Sequence, residues 1–288
     1  MNAYILNFLA YFRSNPYKTL SKNTLDNYQQ DLVQFNKFIK KDCLDIVQND
    51  IFLYKDFLKS FQIPRTNKPY SVKTINRKLI SLNQFLKYLQ QETEFDKIII
   101  VKPEKVQFQN LRADILDSSE VKRIISAARK TDDLRSIALI YTLFYTGTRI
   151  SEALQIKVSD ITKNKIWIIG KGDKYRQIFI PKILKKIWHE YLPVRYNSES
   201  EFLFVGQKGP ITRQYAGRII KYYAGMAKIK KEKVYPHAFR HLFSKNLAEA
   251  NVPHVVIKQL MGHQLTVTES YMQHGEKEIL KLIDGIKL

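Results

Sequence analysis

Four short stretches hold side chains whose types and spacing could do phosphate chemistry. In His237-Ala238-Phe239-Arg240-His241 a histidine and an arginine stand at i and i+3, which on a helix share one face. Pro236 precedes them at a favoured helix start, and a helix N-terminus attracts anions. An imidazole and a guanidinium there would form a phosphate site with its own proton donor. A zinc reading competes, because His237 and His241 stand at i and i+4. The metalloprotease pattern, however, needs Glu directly after the first His, and Ala238 is there. The bland alternative is a pair of surface residues on a basic helix.

The second stretch is Thr146-Gly147-Thr148-Arg149-Ile150-Ser151-Glu152. Gly147 reads as the end of one helix and Ser151-Glu152 as the start of the next, so Arg149 sits in a tight connection. Arg keeps its charge and grips phosphate oxygens in pairs, and Glu152 could orient it from behind. The third is Gly170-Lys171-Gly172-Asp173, a hairpin turn whose glycines let the backbone approach a ligand closely. Lys171 could be a second cation, or a proton donor to a leaving oxygen. The fourth is Leu260-Met261-Gly262-His263, with Tyr271 eight positions after the histidine. Taken alone, each has an ordinary structural reading: an Arg near a turn, an exposed hairpin Lys, one Tyr among 17.

The elements that must position these residues are mostly helical. Leu25, Tyr28, Leu32, Phe35 and Ile39 recur at spacings of three and four, as do Val72, Ile75, Leu79, Leu82, Leu86 and Leu89 behind Ser71 as N-cap. Shorter helices are expected over Ala3–Phe12 and Asn49–Phe61, giving a four-helix bundle. The outward face of its fourth helix is read as carrying Lys73, Arg77, Lys78 and Lys87, either solvated or set against phosphates. Thr93–Arg112 breaks the pattern with an extended run, Ile98–Val101, and Pro103, and reads as a linker. The expected domains are therefore 1–92, a linker 93–112, and 113–288.

In the second domain Asp117 or Ser118 caps a helix with Glu120 in its first turn. Leu134–Tyr145 is apolar and helical. Ile166–Ile169 and Gln177–Ile180 read as strands. Helices follow at Lys182–Tyr191, Arg213–Ala227, His237–Ala250 and Pro253–Met261. Arg213, at the head of its helix, is a further candidate DNA contact. In the tail Glu278–Leu288, Ile279, Leu282, Ile283 and Ile286 share one apolar face that requires a partner. The fold class is mainly α with a small β-sheet, an α+β arrangement.

Bulk properties narrow the partners. The 288 residues include 48 basic and 27 acidic ones, a net charge of +21. So positive a surface repels itself unless a polyanion binds it, and releasing counterions from nucleic acid drives such binding. Frequent Lys, Asn, Ile and Tyr, as in AT-rich genomes, offer a blander source of part of that charge. Cys43 is the sole cysteine, which excludes an intrachain disulfide and a cysteine-based zinc site and fits a reducing cytoplasm. No segment approaches the roughly 20 apolar residues of a membrane span.

Together the motifs resemble the tyrosine recombinase (phage integrase) family, its Xer-like members in particular. That family shows an Arg in T-G-x-R-x-S-E, a Lys in a G-K-G hairpin, H-x-x-R-H, then L-G-H and a Tyr. Arg149, Lys171, His237, Arg240, His263 and Tyr271 match in that order. The likeness is strong from Asp114 to about Gly275 and weaker over the N-terminal helices, which resemble the family's SAM-like core-binding domain. One departure is that Xer proteins place the Tyr nine residues after that His, and here it is eight.

The resemblance implies a site-specific recombinase acting on double-stranded DNA that carries a recombination site. Tyr271 would attack the phosphate, Arg149 and Arg240 would neutralise its oxygens, and His237 and His263 would hydrogen-bond it and help deprotonate the phenol. Lys171 would protonate the leaving 5′ oxygen. The 3′-phosphotyrosyl link would conserve bond energy, so no ATP, metal or other cofactor is expected. It also implies two domains clamping a duplex, and four protomers on paired sites, each docking its C-terminal tail on a neighbour. A type IB topoisomerase, a catalytically silent DNA-binding protein and a metal-dependent nuclease are the competing readings.

Overall fold

The computed structural model describes residues 2–15, 20–105, 115–170, 175–196, 199–262, 274–286 and 288. The chain divides into two units, Met1–Asn110 and Leu111–Leu288.

In the first unit, α1 (Asn2–Ser14), α2 (Lys22–Ile39), α3 (Gln48–Ser60) and α4 (Val72–Glu92) form a bundle. Ser21 and Ser71 each accept a hydrogen bond from the backbone N–H three residues on, at Thr24 and Thr74, and so start α2 and α4. The three-and-four spacing of the apolar residues then buries one stripe of each helix. Phe8, Leu32, Phe35, Tyr54, Leu58 and Phe85 are almost wholly buried there. A short hairpin, β1 (Gln62–Ile63) with β2 (Lys68–Pro69), joins α3 to α4. The sequence reading does not contain it, because two-residue strands leave no alternation to read.

Two expectations for this unit need correction. Lys78 is not on the outward face of α4. Its ammonium is buried and bonds Asp31 Oδ1 at 2.9 Å, while Arg77 Nη2 reaches the same oxygen at 2.8 Å and Ser81 Oγ donates to Oδ2 at 2.7 Å. Asp31 lies inside the bundle, and a buried carboxylate requires paired cations. The first part of the supposed linker is also not free. Phe95 and Ile99 enter the bundle core. Gln48 exchanges two hydrogen bonds with the Ile100 backbone, Asn76 does the same with Glu104, and Lys55 pairs with Glu104 at 2.8 Å. Residues through Glu104 therefore belong to the N-terminal unit.

In the second unit, α5 (Ser118–Arg129) starts in a capping box in which Asp117 accepts from the Glu120 N–H and Glu120 accepts from the Asp117 N–H. Next comes α6 (Leu134–Thr146), buried along nearly its whole surface. It packs against α5, α8 (Lys182–Tyr191), α9 (Arg213–Met226) and α10 (Pro236–Glu249). Trp188 on α8 is buried and donates its indole N–H to Thr142 at 2.9 Å. Between α6 and α8 lie a single turn, α7 (Ile150–Ala153), and the antiparallel strands β3 (Lys165–Ile169) and β4 (Tyr175–Phe179). Ile166 and Ile168 face the core while Trp167 and Ile169 face out, the period-two pattern of a half-buried hairpin. A third two-stranded sheet, β5 (Val205–Gly206) with β6 (Gly209–Pro210), precedes α9, and α11 (His254–Met261) follows α10.

The C-terminal helix is α12 (Glu276–Asp284). Its apolar face already has a partner in its own unit: Ile279, Ile283 and Ile286 are buried in the same core as α6 and α10. Asp284 accepts a hydrogen bond from the Lys182 N–H at 3.0 Å, and Glu276 pairs with Lys165 at 2.9 Å. Among the described residues no helix is long and apolar enough to cross a membrane.

Candidate active site

Arg149 owes its position to the end of α6. Gly147 closes that helix with φ +57°, a left-handed turn that glycine adopts at least cost. A Cβ there would lie 2.3 Å from the Phe243 ring on α10. The chain then turns at once into α7, with Arg149 as its N-cap. Glu152, almost wholly buried, accepts from the Arg149 N–H at 2.8 Å and from Arg149 Nη1 at 2.6 Å. Its other bond is to Arg176 Nη2 on β4, at 2.8 Å. Burial alone would push the Glu152 carboxyl up. The charge of Arg176 and the hydrogen bonds from both arginines outweigh it and hold the group below the usual carboxylate range.

Arg240, on α10, is buried and aimed at the same place. Nη1 donates to the Gly147 carbonyl at 3.0 Å, and Nη2 donates to the Met261 carbonyl at the end of α11. Burial, then the nearby charges of Arg176 and Arg149, push its guanidinium down to about 10. It stays protonated at neutral pH. His237 lies one turn earlier, on the exposed start of α10. Partial burial first, then the charges of Arg149, Arg240, His241 and Arg213, hold its imidazole below the ordinary value of 6.5. Arg149, Arg240, His237 and Arg213 therefore share one electrostatic neighbourhood. Among the described residues Glu152 is the one carboxylate set against Arg149, Arg176 and Arg240, so the cluster carries an excess of positive charge suited to an anion.

Lys171, His263 and Tyr271 lie outside the described residues. The chain that flanks them is described: Gly170 and Tyr175 border the first, and Gly262 precedes the second. Of the other candidate DNA contacts, Lys73, Lys87 and Arg213 are exposed. Arg77 is partly exposed with its fork committed to Asp31, and Lys78 is buried. Arg176 was absent from the sequence reading. Its signal was a charged residue at the inward register of a strand, level with Ile168 and two before Ile178. The strand expected from sequence begins only at Gln177, so Arg176 falls outside it, whereas β4 begins at Tyr175.

Comparison with known proteins identifies the family and the fold. The model of the phage integrase family matches residues 114–278, and that of the phage integrase N-terminal SAM-like domain matches residues 5–93. A tyrosine recombinase of Agathobacter rectalis is 31% identical, over 94% of this chain and 92% of its own. Tyrosine recombinase XerD of Rickettsia bellii is 26% identical, with 92% of each chain covered. Among solved structures, XerH site-specific recombinase bound to its difH substrate before cleavage superposes with a TM-score of 0.70 at 20% identity, covering 99% of this chain and 95% of that one. A lambda integrase dimer bound to a core site gives 0.70 at 14% identity, covering 96% and 97%. These two show a shared fold. The chain belongs to the phage integrase family, the site-specific tyrosine recombinases, a class of DNA strand transferases.

Proposed function

We propose that Tyr271 attacks a scissile phosphate gripped by Arg149 and Arg240, forming a 3′-phosphotyrosyl link and freeing a 5′ hydroxyl. The observation that carries this reading is the convergence of those two guanidinium groups from different helices, each fixed by hydrogen bonds before any DNA arrives. Phosphodiester attack loads charge on the nonbridging oxygens, and preorganised donors stabilise that charge best. A phenol is a weak nucleophile at neutral pH. His237, whose neutral form partial burial and then the neighbouring cations favour, is suited to share the phenol's proton with His263. Lys171 supplies a proton to the departing oxygen.

The substrate is double-stranded DNA bearing a recombination site, met also by Lys73, Lys87 and Arg213. The N-terminal bundle acts as the core-binding half, and the protein works in the cytoplasm. Four protomers act on two sites. The face of α12 that closes its own core would close an identical groove on a neighbour, an exchange of like for like that needs little free energy. The test of the chemistry is a nicked suicide duplex. It should trap a covalent protein–DNA adduct with the parent and none with Tyr271→Phe; no adduct on any cognate site would end the proposal.

A further inference from the structure

Arg176 is buried on β4 and makes contacts in two directions. Nη2 donates to Glu152 Oε2 at 2.8 Å, the acid that also holds Arg149, and Nη1 donates to the Leu260 carbonyl at 2.8 Å in the last turn of α11. Its stem is packed as well: a Cβ on Gly262 would stand 2.7 Å from Arg176 Cδ, and Gly262 has φ +61°. The same strand pairs with β3, and Lys171 lies between the two in sequence. One side chain thus ties the support of Arg149 to the end of α11, which precedes His263 in sequence, and it is rooted in the strand that follows Lys171 in sequence.

Packing alone does not call for a cation here. Its inward neighbours on the hairpin, Ile166, Ile168 and Ile178, are all aliphatic. An apolar residue of similar volume in place of a buried ion pair is commonly neutral or stabilising. Arg176 Nε has no hydrogen-bond partner among the described residues, a further cost of keeping a guanidinium in this place.

We infer that Arg176 is a positioning residue for the recombination reaction, fixing Glu152, and through it Arg149, relative to the end of α11. The inference rests on the proposed role of Arg149. It predicts a loss confined to the steps in which Arg149 meets phosphate charge.

The variant is Arg176→Lys, whose single ammonium reaches Glu152 or the Leu260 carbonyl but cannot fork to both. Two suicide duplexes are compared, one with the natural scissile phosphate and one with a neutral methylphosphonate there, which lacks the charge that Arg149 neutralises. DNA binding should stay within about twofold of the parent, because few phosphate contacts change. Covalent adduct formation should slow on the order of 10²-fold on phosphate, and by under about tenfold on methylphosphonate, since the missing cation matters less there. Parent-like cleavage of phosphate, or an equal loss on both duplexes, overturns the inference.

If circular dichroism shows that Arg176→Lys is unfolded, Gly262→Ala carries the same test. It displaces the Arg176 stem from the opposite side without removing charge, and the same criteria apply. A parent protein that forms no adduct at all overturns the proposed reaction itself, and is recognised without any variant.

Discussion

Glu152 takes bonds from a backbone N–H and two guanidinium groups while buried. Its partner Arg149 keeps 33% side-chain exposure. Arg149→Lys would keep the charge and lose the fork. Adduct formation should then fall by about 10²-fold or more, with DNA affinity by mobility shift little changed; normal cleavage would remove Arg149 from the site. His237 gives a second residue-level expectation. Its folded pKa lies below the 6.5 of an ordinary imidazole, so in that window the unfolded chain binds more protons than the native protein. This group's share of stability is present above pH 6.5 and is lost as the pH falls towards the lower folded value. A proton NMR titration of the free protein should give His237 a midpoint below 6.5, rising when duplex DNA brings in phosphate. A midpoint above 6.5 without DNA would contradict the electrostatics described. Arg149, Glu152, His237 and Arg240 were legible because motif spacing sets them on adjoining helix ends. Arg176 was not, since its partners are 24 and 84 positions away in sequence.

At the scale of elements, the apolar stripes of α2 and α4 follow from helical periodicity, and the bounds of α6 and α8 from sequence agree nearly to the residue. It could not show that Asp31, on α2, would turn inward and draw Arg77 and Lys78 of α4 with it. A strip of basic residues on a helix looks the same whether water or a buried acid faces it. The pairing has a measurable consequence. Asp31→Ala leaves Lys78 buried without its counter-ion and should destabilise the N-terminal unit by about 3 kcal/mol or more, seen as an earlier unfolding transition in urea. Asp31→Leu combined with Lys78→Met should recover much of that loss. If Asp31→Ala melts like the parent, the ion pair contributes nothing to the bundle. The segment after α4 was misjudged for a related reason: Phe95 and Ile99 are two apolar residues without a period, and long-range contacts to α3 and α4 decide their fate.

For the whole molecule, a net charge of +21 is a property that the sequence states outright, whereas the destination of the tail is not. An amphipathic stripe declares that it must be covered but not by which copy of the chain. Here Ile279, Ile283 and Ile286 are covered by their own unit. Assembly through the tail then requires α12 to leave that groove. Lys165→Cys with Glu276→Cys, bridged by a short bismaleimide across the present 2.9 Å ion pair, should pin it. Cys43 is buried, with its thiol pushed up to about 12 by burial, and would not compete. The bridged protein should still cleave a single site, yet give no four-protomer complex on paired-site DNA by light scattering. Tetramers formed by the bridged protein would exclude an exchange of tails.

The glycine that closes α6 has an effect beyond its own turn. The ring of Phe243 fills the space that a side chain at position 147 would need, so the end of α6 and the middle of α10 fit together like key and lock. Arg149 follows directly from the first helix and Arg240 belongs to the second, only three positions before that ring. The interval between the two charges is therefore set by backbone geometry rather than by the reach of flexible side chains.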